Sequence, residues 1–509
     1  MSGVTIAPLS VVPFMSTTFA PVQAPVSKTG PAKPVIRSAS DVSSLVNQGA
    51  AAGSDARIVV AIALGGVFLD AYDLGALAFG LKDVAREFSL TPAGTGLVAS
   101  AITFGAIFGA FFGGFLTDKI GRYRVFMADM FFFVVAALAC AFAPNAWVLG
   151  GARFVMGLGV GIDLPVAMAF LAEFSRLSGR GNKAARIATW CPVWYAAISI
   201  SYLLVLGFYS TLPASHSGLL WRLILGFGAV PAIIIIAVRS RYISESPVWA
   251  ANQGDLEGAA RILKRSYGID AEVARDTKAH SGHTQVRAGA LRNYGALLRG
   301  VYLKRTVLAT VIGIASAFAY NAVAFGLPVI ISSFLAQSML TTILASLVLN
   351  LGFAFVGGLI AVRIVPKVGA WNLTVLGYAL QFVALIGLAL VGRPASTPEV
   401  AAAVALLALF LLGQGIGPGS HSMTFASLSY PTSLRGVGVG FNQTLMRASS
   451  AASLFLFPVL AATLSTRVFW IIAFAPLCGL IALLAIRWEP SGYDVDAEDF
   501  KAGTQPLAG

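Results

Sequence analysis

The sequence predicts an all-α polytopic membrane protein whose twelve transmembrane helices form two six-helix halves. Three observations carry that prediction. Only 11% of the residues are charged and 57% are hydrophobic, whereas a soluble domain carries about 25% charged residues. A larger core cannot absorb the difference, because a soluble chain still needs a polar surface. Between Ile58 and Trp488 the chain supplies about twelve apolar runs, each near the ~20 residues that cross the hydrocarbon layer. The cations between these runs recur in every second loop, as expected of a topology signal.

Residues 1–55 are rich in Ser, Pro, Ala and Val, lack a continuous apolar run and carry no acid before Asp41; they read as a disordered tail. The first six helices are expected at 58–80, 94–116, 123–143, 147–172, 187–209 and 219–239. The second six are expected at 306–335, 339–364, 371–392, 399–427, 436–464 and 467–488. The N-terminal bundle thus occupies 56–239 and the C-terminal bundle 306–488, joined by a basic linker over 240–305 with short helices. An acidic tail, 489–509, follows.

The loops set the orientation. Lys119, Arg122 and Arg124 follow helix 2; Arg176, Arg180, Lys183 and Arg186 follow helix 4; the linker follows helix 6; Arg363 and Lys367 end helix 8; Arg435 follows helix 10. These loops share one side, the cytoplasm by the positive-inside rule, so both termini are expected there and the chain in a cell membrane, a bacterial inner membrane by type. The net charge of +13 is therefore a topology signal and not a nucleic-acid surface. Cys140, Cys191 and Cys478 all lie inside apolar runs without metal-ligand spacing. No metal motif, paired catalytic histidine or nucleophile elbow is present, so neither an enzyme nor a cofactor is expected.

After helix 2 the chain reads Gly114-Phe-Leu-Thr-Asp118-Lys119-Ile-Gly121-Arg122-Tyr-Arg124. This run resembles the loop 2–3 signature of the major facilitator superfamily. Glu173 at the end of helix 4, Arg180-Gly181, then Glu245-Ser-Pro247-Val-Trp249 and Gly254-Asp-Leu-Glu257-Gly-Ala-Ala-Arg261 resemble the sugar-porter branch. The resemblance implies a cytoplasmic gate of ion pairs formed by Asp118, Arg122, Glu173 and Arg180. The second half departs from the pattern: the branch's acid after helix 10 would stand at Leu428, and the loop after helix 8 lacks its Asp and paired cations. The implied gate is asymmetric.

Acids at mid-membrane depth are the best functional pointers, because burying one costs at least about 2.5–3.5 kcal/mol. Helix 1 has Asp70 and Asp73, three apart on one face. Two carboxylates so close in a low dielectric resist double ionisation, so one is expected to hold a proton. Helix 4 adds Asp163 in Gly157-Leu-Gly159-Val-Gly161-Ile-Asp163-Leu-Pro165, whose glycines are expected to let helix 1 pack close. Arg153 is one buried partner available to these acids; a purely structural role for them is the alternative. The three acids also resemble the proton-handling set of proton-coupled phosphate symporters, which implies proton coupling at Asp70, Asp73 and Asp163. The phosphate-binding set does not carry over: its positions fall on Leu164, Cys191, Ser316 and Gly419, and only Tyr320 and Arg447 persist.

The candidate substrate-binding residues are Trp190, Trp194 and Tyr195 on helix 5, Tyr320 and Asn321 on helix 7, Gln414 and His421 on helix 10, and Asn442, Gln443 and Arg447 on helix 11. Arg447 is a buried guanidinium that either grips an anion or pairs with a membrane acid. The glycine-rich run Gln414-Gly415-Ile-Gly417-Pro418-Gly419-Ser420-His421 either lines a cavity or kinks the helix for close packing. The expected function is alternating-access movement of a small metabolite, first of all proton-coupled import of a small organic anion. A sugar or polyol symporter, a proton-driven exporter and a non-transporting sensor are the alternatives. The expected partners are the substrate, protons and the bilayer, with the chain acting as a monomer.

Overall fold

The computed structural model describes residues 33–38, 41–42, 45, 55–120, 122–175, 183–213, 218–242, 245, 247–274, 290–430 and 432–491. Among them, eleven stretches are long and apolar enough to span a membrane. The last of these, Val437–Ala485, is 49 residues long, about twice what a bilayer needs. It divides at the 3-10 turn Ser465–Arg467, where Ser465 takes a φ of 53°. Twelve spans result, as the sequence predicts.

The first six are α1 (Asp55–Glu87), α2 (Pro92–Ile120), α3 (Arg122–Ala141), α4 (Ala146–Ser175), α5 (Trp190–Thr211) and α6, which runs as Leu220–Phe227 and then Ala229–Tyr242. The second six are α7 (Gly300–Ala324), α8 (Met339–Leu349, a π-helical Asn350–Phe355 and Val356–Val368), α9 (Ala370–Val391), α10 (Thr397–Ile416 and Pro418–Leu428), α11 (Thr432–Leu464) and α12 (Val468–Ala485). Short helices Pro247–Asn252, Leu256–Ile262 and Ala290–Leu297 lie in the linker. Large apolar side chains such as Phe111, Phe131, Leu390, Phe474 and Leu484 stay exposed around the bundle, a surface suited to lipid rather than water.

Small residues set the closest helix approach. A Cβ on Gly105 would stand 2.0 Å from the Phe154 carbonyl, and one on Gly157 would stand 1.9 Å from that of Ile102. The helix-4 glycines at 157 and 161 therefore seat α4 against α2, not against α1 as expected from the sequence. The glycine run of α10 packs in the same way: Gly413 and Gly417 press on Gly377 of α9, and Gly415 on the Ala354 carbonyl of α8. Its break at Gly417-Pro418 thus serves helix packing. The Gly415 carbonyl that the break frees accepts from Ser420 Oγ at 2.6 Å.

The two halves repeat one terminal device. The Tyr123 amide at the start of α3 donates to Glu245 at 3.3 Å. In the second half, the Ala370 and Trp371 amides at the start of α9 donate to Glu489 at 3.0 and 2.8 Å. Each carboxylate follows the sixth span of its half and answers the unpaired amides and positive dipole end of the third.

Part of the segment read from the sequence as a disordered tail is placed against the linker. Val35–Ile36 pairs in parallel with Glu272–Val273. Ile36 and Val42 are buried among Ala250, Ala251, Ala259 and Leu263. Lys33 and Lys264 flank Asp270 at 3.1 and 3.2 Å. The hydrogen bonds from Lys33 and then Lys264 hold the Asp270 carboxyl below the usual carboxylate range. A lowered folded value means that Asp270 supports this clasp above the ordinary carboxylate range and ceases to do so as pH falls through it. Amide exchange at Glu272 and Ala274, whose N–H groups donate to the Pro34 and Ile36 carbonyls, is expected to stay slow at neutral pH and to accelerate in acid and in Asp270→Asn. Equal protection in the variant and the native chain would show that the charge plays no part.

Candidate functional site: three tiers of buried charge along α1

A helix returns to the same face after three and four residues. Positions 66, 70 and 73 of α1 therefore stack on one side, about 6 and 4.5 Å apart along the axis. Each meets a buried charge. At Gly66 the absent side chain makes room for Asp163 of α4: a Cβ there would stand 1.4 Å from Asp163 Oδ2. At Asp70 the partner is Arg447 of α11, whose Nη2 donates to Oδ2 at 2.5 Å. At Asp73 the facing cation is Arg153 of α4. No ion pair closes there, and Asp73 Oδ1 and Arg153 Nε and Nη1 have no hydrogen-bond partner.

The first tier holds two residues that sequence reasoning passed over. Arg239 of α6 donates through Nη2 to Asp163 Oδ1 at 2.7 Å and through Nη1 to Asp129 Oδ1 of α3 at 3.2 Å. Nη1 also donates to the Phe126 carbonyl at 2.7 Å, and the guanidinium lies 3.3 Å from the centre of the Phe126 ring. All three charged side chains are buried. Asp129 had a legible signal, an acid inside the apolar run Phe126-Met-Ala-Asp129-Met-Phe-Phe-Phe. Arg239 had none, because a cation at the end of a span reads as a topology signal. Asp163 thus binds Arg239, Asp70 binds Arg447 and Asp73 faces Arg153; the expected three-acid set is split among three guanidiniums.

An aromatic and amide wall joins α5 to α7, α8 and α10 at the seam. Trp194 Nε1 donates to the Tyr320 hydroxyl at 3.0 Å. Trp190 packs edge-on against Trp194, and Tyr195 edge-on against Tyr320. Gln414 accepts from Gln381 and donates to Ser316 Oγ at 3.1 Å. Gly419 leaves the space between Tyr195 Oη and the Gln414 amide, since a Cβ there would meet them at 2.9 and 3.1 Å. Asn350, on the π-helical segment of α8, donates to the Tyr195 carbonyl at 2.8 Å and to Ser199 Oγ at 2.9 Å.

Other candidate residues have different surroundings. Asn321 bonds the Ala317 carbonyl of its own helix and Ser450 of α11. Asn442 ties α11 to α7 through the Ala309 carbonyl at 2.8 Å. Gln443 donates to the Met423 sulfur at 3.0 Å, leaving its Oε1 without a partner. His421 is fully buried and neither ring nitrogen has a partner. Of the gate residues, Asp118, Arg122 and Glu173 lie on helical backbone with side chains outside the described set, and Arg180 lies outside the described residues.

The halves meet through this layer and at both ends of the bundle. At the end away from the termini, Lys82 reaches Ser332 and Ser333 at 2.7 and 2.6 Å, and Gly96 of α2 seats the Phe455 carbonyl of α11. At the other end, Ala184 and Ala185, on the short helix Lys183–Ala188, are buried with Ile416, Phe425 and Leu428 of α10.

The model of the sugar (and other) transporter family matches residues 58–489. The chain belongs to that family. It is a multi-pass membrane transporter and not an enzyme. It is 26% identical to the niacin transporter NiaP of Acinetobacter baylyi over 77% of this chain and 84% of that protein. It is also 26% identical to the major myo-inositol transporter IolT of Bacillus subtilis, over 88% of this chain and 94% of that one. The proton:xylose symporter XylE bound to 6-bromo-6-deoxy-D-glucose superposes with a TM-score of 0.70 at 16% identity, covering 88% of this chain and 99% of that one. A partially occluded inward-open form of XylE from E. coli gives 0.68 at 16% identity, over 87% of this chain and 100% of that one. The transporter therefore has the major facilitator fold that its loop signature implies.

Two outcomes follow for the first tier. Arg239→Ala leaves two buried carboxylates without their cation and is expected to cost about 3–5 kcal/mol in thermal or denaturant unfolding. Gly66→Ala is expected to destabilise by displacing Asp163, and Asp163→Ser in the same chain should recover part of that loss. Equal losses in the single and double variants would show that the two sites do not touch.

Proposed function

We propose that the transporter imports a small organic anion together with protons by alternating access, with Arg447 as the cation that receives the anion. The ion pair between Arg447 and Asp70 supports this reading. It joins α11 of one half to α1 of the other at the central layer. A buried guanidinium needs an anionic partner, and a planar carboxylate can take two of its N–H donors at once. A substrate carboxylate therefore competes with Asp70 for one cation. Asp70, released into a low dielectric, takes a proton and becomes neutral. Substrate and proton thus arrive together, and the two halves lose the bond that joined them directly. Trp190, Trp194, Tyr195 and Tyr320 offer ring faces and edges to the organic portion. Proton coupling at Asp70, Asp73 and Asp163 and the gate of Asp118, Arg122, Glu173 and Arg180 belong to the same proposal. So do a cell membrane location with cytoplasmic termini and action as a monomer.

A sugar or polyol is the second reading, favoured by the amide pair Gln381–Gln414 with Ser316 beside the aromatic wall. In that case Asp70 and Arg447 form a coupling pair that the substrate does not touch.

Ligand-dependent melting of the purified transporter separates the two. Nicotinate, other aromatic and hydroxy acids, glucose, xylose and myo-inositol form the panel. A ligand at a hundred times its dissociation constant stabilises by about 2.7 kcal/mol. Carboxylates alone are expected to raise the melting temperature, and Arg447→Ala to abolish the shift. A shift with sugars and none with carboxylates would reject the anion reading. In vesicles, uptake indifferent to the proton gradient would reject coupling.

A further inference from the structure

Among the described residues, four aspartates, Asp70, Asp73, Asp129 and Asp163, and four arginines, Arg153, Arg239, Arg305 and Arg447, are buried in the spans, and Arg305 lies over the Trp488 ring in the C-terminal half, away from the acids. Asp70 has Arg447 at 2.5 Å, and Asp73 has Arg153 facing it. Arg239 alone bonds two carboxylates, Asp129 and Asp163, so this cluster holds two acids around one cation.

The geometry points to a proton-binding site at this dyad: we propose that Asp129 and Asp163 share one proton, with Arg239 holding both oxygens in place. Each carboxyl uses its Oδ1 on a different nitrogen of the same guanidinium. Asp129 Oδ2 is buried and has no donor, a costly state for an ionised oxygen. Asp163 lies within hydrogen-bonding reach of Asp129. A proton on either carboxyl makes a donor of one acceptor, satisfies the bare oxygen and brings the cluster to neutrality. Two carboxylates around one cation behave as a single coupled site, as in other acid dyads.

The surroundings define what the dyad senses. Arg239 faces it from α6, and Phe126 covers that guanidinium with its ring and carbonyl. Asp163 abuts Gly66 on α1, and the nearest further acid is Asp70, one turn along. The dyad lies wholly within the N-terminal half, on α3, α4 and α6. It is therefore distinct from the Asp70–Arg447 seam, and it adds Asp129 to the groups that handle protons. The inference needs no substrate and stands apart from the anion reading.

Infrared spectroscopy of the full-length protein carrying isotope-labelled aspartate tests it. The readout is the C=O stretch of protonated aspartate at neutral pH, identified by its isotope and deuterium shifts. The native chain is expected to show this band, and Asp129→Asn and Asp163→Asn are each expected to reduce it by one carboxyl. Asp73→Asn is expected to leave the dyad's share intact. If Asp129→Asn does not fold, Asp129→Glu retains a carboxyl and is expected to transfer part of the signal out of the aspartate label. Absence of the band from the native chain overturns the proposal. So does an undiminished band in both asparagine variants, or a fall in only one of them.

Discussion

Charge taken out of water must find charge. A lone ion in the hydrocarbon layer is too costly to keep, and a buried pair is stable only when both members stay in register. In this transporter that requirement fixes the face of α1. Gly66, Asp70 and Asp73 stack beneath one another, and each is matched to a side chain from another span. The rotation of α1 about its axis is thereby set by electrostatics and by one missing side chain. The spans that deliver the partners, α4 and α11, are set with it. Glycine contacts between α2 and α4 then supply the close packing that apolar burial alone cannot supply in lipid.

The distribution of these contacts separates rigid parts from a part able to change. Arg239 binds α3, α4 and α6 into one body. Arg153 and Asp73 face each other between α4 and α1 of the same half. Among the described residues, the buried ion pair that crosses from one half to the other is Asp70–Arg447. Other contacts between the halves are hydrogen bonds and packing: the Lys82 ammonium on Ser332 and Ser333 at one end, and neutral bonds such as Asn350 on Tyr195 and Trp194 on Tyr320. Neutral bonds of that kind contribute about 0.5–1.5 kcal/mol each, whereas removing one partner of a buried ion pair costs about 3–5 kcal/mol. A bistable seam with rigid halves is the mechanical requirement of alternating access.

The ends of the bundle show how the linker takes part. Glu245 caps α3 and Glu489 caps α9, so each half carries the same device where its sixth span ends. The linker is also tied to Val35–Ile36 through a two-stranded pairing and a small apolar core. Burying side chains such as Ile36 and Val42 stabilises by about 1.5–3 kcal/mol each, enough to hold a short segment in place.

The sequence by itself determined the twelve spans, their division around a basic linker and the family, because span length, composition and a loop signature are local properties. It also marked Asp70, Asp73, Asp163 and Arg447, since an ionised residue in an apolar run stands out wherever its partner lies. What it could not determine was the pairing. Asp70 and Arg447 are 377 residues apart and Arg239 and Asp163 are 76 apart, and nothing local says which acid meets which cation. Arg239 went unread because a cation at the end of a span looks like a topology signal, and Gly157 and Gly161 of α4 were matched to α1 when α2 is their neighbour. Only the tertiary structure decided these points, because the energy of a buried charge depends on a partner supplied by another helix.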